Sequence, residues 1–175
     1  MSSGKSDTLP AAEVEEFICA RCGARGLTCC QHTQVFVTRG DLRRIGAATG
    51  KQDFHECAIA PAANRGDGED PVWDRIFSPD GNRRVLRHKQ EENRNDCCFL
   101  GEKGCALALA DRPLICRLYP FEYDAVAIKG VSAHHCPEPE RHSNPLMLAL
   151  LGMNRDEAEE WRKMLYAEII EEFPG

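Results

Sequence analysis

Apolar positions recur at helical spacing most clearly near the C-terminus, where Ala158, Trp161, Leu165, Ile169 and Phe173 form one stripe. Asn154 with Glu157 supplies a capping box for that helix, and the stripe reads as core. An earlier helix is expected from Asn144-Pro145 to near Gly152. Thr38-Arg39-Gly40-Asp41 predicts another start, with Leu42 and Ile45 inward and Gly46 or Gly50 at its end. Asp111-Arg112-Pro113 predicts a short helix capped by Asp111 and stopped by Pro120. Ala11 to Phe17 has the makings of a helical turn.

Strand signals are short. Gln34 to Val37 and Ala125 to Ile128 each predict one strand. Pro79-Asp80-Gly81-Asn82 between two alternating runs predicts a hairpin, because proline presets the turn and glycine accepts positive φ. CCFLGEKGCAL predicts a second hairpin turning at Gly101 to Gly104. Ala60 to Pro71 reads as a surface loop. The fold class is therefore α+β: a small irregular domain, stapled by metal, with short antiparallel hairpins and C-terminal helices. Residues 1–12 read as a flexible lead-in, 13–140 as a cysteine-cluster domain, and 141–175 as helices packed on it.

Composition adds a constraint. The 175 residues suit one domain, yet aromatic content is only 7%, so a stabiliser beyond the apolar core is useful. The net charge of -6 argues against a general nucleic-acid binder. A basic run, RRVLRHK from Arg83 to Lys89, and an acidic tail from Asp156 to Glu172 both read as solvated faces. MSSGKSDTLP has no apolar stretch, which predicts no export signal and a cytoplasmic location. LMLALL is too short to cross a bilayer.

Ten cysteines in a reducing compartment are not five disulfides. The pairs Cys29-Cys30 and Cys97-Cys98 are vicinal, which relaxed disulfide geometry disfavours. Cys19-x-x-Cys22-Gly23 is a metal knuckle: two intervening residues let both sulfurs face one ion. Cys29, Cys30, Cys98, Cys105, Cys116 and Cys136 supply further thiolates, enough for one or two tetrahedral zinc sites or an iron–sulfur cluster. No histidine competes strongly as a ligand, so the sulfur-rich donor set tilts the choice toward iron–sulfur. His32, and His134 and His135 before Cys136, are read mainly as polar loop residues. Cys57 stands alone and reads as a small buried hydrophobe. Four thiolates around such a centre leave a charge of about -2. Arg21, Arg25, Arg112 and Arg117 lie near cysteines and are placed to offset it, Arg117 being the best candidate.

The arrangement resembles the YkgJ-type cysteine-cluster family, which carries a zinc- or iron-chelating domain. Its opening C-x-x-C-x-x-C-C is matched by Cys19, Cys22, Cys29 and Cys30, with six residues between Cys22 and Cys29 instead of two. A Thr-x-x-Asp helix start follows, as in VFVTRGDLRRIG. Then come a C-x-x-L turn, another cysteine, R-P-x-x-C-R-x-Y-P-F and a final Cys-Pro. Cys98, Cys105, Arg112, Pro113, Cys116, Arg117, Tyr119, Pro120, Phe121 and Cys136-Pro137 match these. The aromatic residue usual after the Cys105 position is absent, and Cys97 has no counterpart in the common pattern. The resemblance covers roughly residues 17–137. It implies a metal-binding protein with an accessory or electron-transfer role, acting with a protein or redox partner the sequence does not name. It includes the flagellin lysine-N-methylases, larger proteins with the same cluster, so a protein-modifying enzyme is one alternative. A zinc-stabilised interaction module is another. No independent catalytic constellation or methyl-donor motif is present, which favours a non-enzymatic role. Nothing in the sequence sets the oligomeric state.

Overall fold

The computed structural model describes residues 28–31, 33–61, 68–91, 94–132, 148–149 and 151–175. Helix α1, Arg39–Thr49, opens on the expected capping box. Thr38 Oγ1 accepts from Asp41 N–H at 2.9 Å, and Asp41 Oδ2 accepts from Thr38 N–H at 3.1 Å. Both helix-start donors are thereby satisfied away from water. The helix ends at Gly50, whose φ of 68° suits glycine and whose N–H reaches Gly46 O at 2.8 Å. Ile45 is fully buried and Leu42 half-buried.

Among the described residues, the strands form four antiparallel two-stranded ribbons. Strand β1, His55–Ile59, pairs with β2, Asn82–Leu86, and β3, His88–Glu91, pairs with β4, Arg94–Cys97. The short β5, Leu100–Gly101, and β6, Gly104–Cys105, form the hairpin expected at Gly101 to Gly104. Strands β7, Phe121–Tyr123, and β8, Ile128–Val131, form the last ribbon. The mixture is α+β, as expected.

Four local expectations are corrected. Gln34 to Val37 is no full strand. It lies along β2 through one isolated bridge, Phe36 to Val85, and through Val37 N–H to Arg84 O and Leu86 N–H to Val35 O. The Pro79 to Asn82 turn exists, with Gly81 at φ 81°, but it closes no hairpin. The preceding segment is a 3-10 turn, Trp73–Ile76, because Asp70 Oδ1 accepts from Val72 and Trp73 N–H. Strand β2 pairs with β1 instead. Ala125 to Ile128 is mostly a turn: Asp124 Oδ1 accepts from Val126 N–H at 2.8 Å and Ala127 N–H at 2.9 Å, so β8 begins only at Ile128. Finally, Asp111 does not cap the helix after it. It closes a 3-10 turn, Leu109–Asp111, and helix α2, Leu114–Leu118, has no side-chain cap from Pro113.

Helix α3, Arg155–Glu172, starts where expected, Asn154 Oδ1 accepting from Glu157 N–H at 2.9 Å, but the expected capping box is not completed: the Glu157 carboxylate accepts from Asn154 Nδ2 at 2.6 Å. Its stripe is core: Ala158, Leu165 and Ile169 are fully buried with Phe36, Ile76, Leu114, Leu118 and Phe121, and Trp161 and Phe173 pack at the margin. Burying each of Leu165 and Ile169 contributes about 1.5–3 kcal/mol. A second core gathers Val35, Val37, Ile45, Phe54, Leu86, Cys97, Phe99, Leu100 and Leu107. Ile115 packs against both. The helical turn at Ala11 to Phe17 and most of the helix expected from Asn144 lie outside the described residues. Gly152, its expected end, has φ 61°.

The two charged tracts are not simply solvated. Arg83 is buried with its guanidinium 5.4 Å from the centre of the Phe77 ring, and Arg84 reaches Glu172. Among the described residues, no helix is long and apolar enough to cross a membrane.

Candidate metal centre

The thiols belong to the second core, where Cys97 is buried and Cys30, Cys98, Cys105 and Cys116 pack against it. Each comes from a locally braced element. Cys30 lies in a turn whose Thr28 Oγ1 accepts from Cys30 N–H at 3.1 Å. That turn is tied to β4 by Gln31 Nε2 donating to Asp96 Oδ1 at 2.7 Å and by Cys97 N–H donating to Cys30 O at 3.0 Å. Cys105 ends the tight β5–β6 hairpin, where Gly104 has φ 88°, and its sulfur receives the Leu107 N–H. Cys116 sits in the first turn of α2.

The electrostatics place these groups together. Burial pushes the Cys116 thiol well above its ordinary value, and the neighbouring Cys30 and Cys105 push it further. Burial also raises Cys105, against the Leu107 N–H and the Arg112 guanidinium. Cys30 is lowered to about 7, chiefly by its hydrogen bond with Cys29, with Arg112 assisting against burial. Arg112 is thus the cation shared by Cys30, Cys105 and Cys116, and its Nε is braced on Leu107 O at 3.1 Å. Arg117, the favoured counter-charge from sequence, turns elsewhere: it is buried, donates to Arg112 O at 2.8 Å and lies near Arg44 and Asp41. The residue after a helical ligand points away from it, since neighbours in a helix sit about 100° apart.

The vicinal pair divides its roles. Cys97 is buried, and its thiol is raised by its hydrogen bond with Cys98 and by burial, with Cys116 nearby. Cys98 donates to Phe54 O at 3.6 Å; its hydrogen bond with Cys97 lowers it, as do Lys51 and Lys89. Cys97 thus stands next to the cluster, although sequence reading set it aside. The signal was present: Cys97-Cys98-Phe99-Leu100 is itself C-x-x-L when counted from Cys97. Cys57 is exposed on β1, opposite Arg84, and not the buried hydrophobe expected.

Cys19, Cys22, Cys136, His32, His134, His135, Arg21 and Arg25 lie outside the described residues. Among the described residues, no group of three or more His, Cys, Asp or Glu side chains closes into a metal-holding set. No disulfide joins the seven described cysteines, Cys29, Cys30, Cys57, Cys97, Cys98, Cys105 and Cys116. The donor chemistry fits zinc or iron: sulfurs from separate segments packed against one core, a backbone N–H aimed at one of them, and a guanidinium that offsets their charge.

No curated protein and no solved structure matches the chain. Residues 18–137 match the model of the CxxCxxCC family, described as "Putative zinc- or iron-chelating domain". With that span covering well over half of its length, the chain belongs to the CxxCxxCC family.

Proposed function

We propose that this chain is a thiolate metal protein that holds an iron–sulfur cluster, with an accessory or electron-transfer role. The observation that carries this reading is the packing of Cys30, Cys98, Cys105 and Cys116, from separate segments, against the one core that buries Cys97, with Arg112 acting on Cys30, Cys105 and Cys116. Cys29, hydrogen-bonded to Cys30, and Cys97 and Cys98, packed in the same core, are the further described sulfurs, and Cys19, Cys22 and Cys136 are the remaining ligands of the proposal. A cluster, when bound, supplies one-electron transfer. The chain's own residues orient the sulfurs, shield them within the second core, and offset their charge through Arg112. The sulfur-rich donor set supports iron–sulfur over zinc: of the described histidines, His88, opposite Cys97 in the β3–β4 ribbon, is engaged with Thr33 O, and His55 lies beside Arg84 and Arg87. Because a ligand set drawn from distant segments forms only when the chain folds, metal binding contributes folding energy.

Anaerobic purification tests this directly. The expected product is brown, with broad visible absorption and stoichiometric iron and sulfide. Cys116→Ser is expected to lose the metal, and Cys57→Ser to keep it. A colourless protein with stoichiometric zinc would reassign the metal. Wild-type protein that takes up neither metal would end the reading.

A further inference from the structure

Helix α2 carries Cys116 but is only five residues long. A single turn does not hold itself, because helix nucleation is unfavourable without outside contacts. Its N-cap, Pro113, offers no side-chain acceptor. The Leu114 N–H is met from another part of the chain: Asp41 Oδ1 accepts it at 3.0 Å. Asp41 is fully buried. Its carboxylate is fixed on the other side by Arg44, whose Nη2 donates to Asp41 Oδ1 at 2.7 Å. Arg44 is fixed in turn by α3, with Nη1 and Nη2 donating to Glu168 at 2.6 and 3.1 Å. Thr38 Oγ1 also donates to Glu168. Gly40 lets the Glu168 carboxylate sit against α1, since a Cβ there would overlap it. The result is one continuous line of hydrogen bonds from α3 through Arg44 and Asp41 to the turn that bears Cys116.

We infer that Asp41 is a positioning residue for the metal centre, holding the first turn of α2 so that Cys116 is presented to the core against which Cys30 and Cys105 also pack. For helix α1 the carboxylate's Oδ2 suffices, closing the capping box on the Thr38 N–H. The carboxylate's contacts to Leu114 and Arg44 are additional and aimed at the ligand helix. The inference rests on the proposed metal binding, and α3, which supplies Glu168, lies beyond the family-matched residues 18–137.

The test compares Asp41→Asn and Arg44→Gln with wild type and with Asn154→Ala, which lowers stability at the far end of α3. Two quantities are read. The first is the rate at which loaded protein gives up its metal to a chelator. The second is the iodoacetamide alkylation rate of Cys116 in metal-free protein, measured by peptide mass relative to exposed Cys57. Both clamp variants are expected to release metal about tenfold faster and to alkylate Cys116 several-fold faster. Asn154→Ala is expected to match wild type in both despite its lower melting temperature. If Asp41→Asn does not fold, Arg44→Gln decides, because it leaves the α1 capping box intact. Wild-type release and alkylation rates in the folded clamp variants would overturn the inference. If wild type binds no metal, the proposed function fails, and the alkylation arm alone still decides whether Asp41 positions Cys116.

Discussion

Arg84 Nη1 lies 2.6 Å from Glu172 Oε1, joining the middle of strand β2 to the last turn of α3. One arginine of the basic run and one carboxylate of the acidic tail, far apart in sequence, thereby pair within the fold. The Glu172 side chain is only 4% exposed and also accepts from the Arg39 N–H at 2.8 Å. One carboxylate therefore serves a guanidinium and a helix N-terminus at once.

Removing that carboxylate leaves Arg84 half-sheltered without its partner and returns an α1 donor to the solvent. Glu172→Ala is expected to cost about 2–3 kcal/mol. Glu171→Ala, at the exposed neighbouring position, is expected to change stability by less than about 0.5 kcal/mol. Urea denaturation of the two variants checks the contrast, and equal midpoints would contradict the pairing.

Arg112 rather than Arg117 offsets the thiol charge. Arg112→Gln is expected to weaken metal retention about tenfold, or ~1.4 kcal/mol, with little change in the fold. Lysine at this position restores charge but not the planar fork braced on Leu107 O, so Arg112→Lys should recover only part of the loss. Arg117→Gln is expected to act on stability, by about 1.5–3 kcal/mol, through its bond to Arg112 O. Chelator competition alongside thermal unfolding separates the two effects.

Features written within a few adjacent residues were legible. The Thr38–Asp41 capping box, the Gly50 helix end, the Asn154 cap and the α3 stripe each depend on neighbours along the chain, and each forms as expected. The Gly101 to Gly104 hairpin does too. Features set by distant partners were not. The Pro79 to Asn82 turn has hairpin chemistry, but Asp70 winds the segment before it and leaves β2 free for β1. Asp111 has the right position to cap α2, yet buried Asp41 takes that role from α1. Among the thiols, the R-P-x-x-C-R spacing singled out Cys116 and two arginines, and the structure sets Arg112 to act on Cys116. The spacing did not say which arginine faces sulfur, because that depends on the direction in which one short turn enters the core.

Away from the thiols, the β7–β8 turn offers a clean acid titration. Asp124 is held at about 2, first by the hydrogen bond from Lys129 and then by the N–H groups of Ala127 and Val126. Its folded value thus lies below the ordinary 3.8. A depressed carboxylate stabilises the fold above its unfolded value, and that contribution drains away as pH falls through the folded one. Asp124→Asn keeps an acceptor for the two backbone donors but removes the charge that Lys129 seeks. The melting temperature of wild type is therefore expected to exceed that of Asp124→Asn above about pH 4, with the gap narrowing steadily toward pH 2. Because the Asp124–Lys129 pair is partly exposed, the gap is also expected to shrink in high salt, where the pair is screened. Melting curves at pH 2, 3, 4 and 6 in low and high salt check both trends. A gap that stays constant across this range would mean that the turn is held by its neutral hydrogen bonds alone.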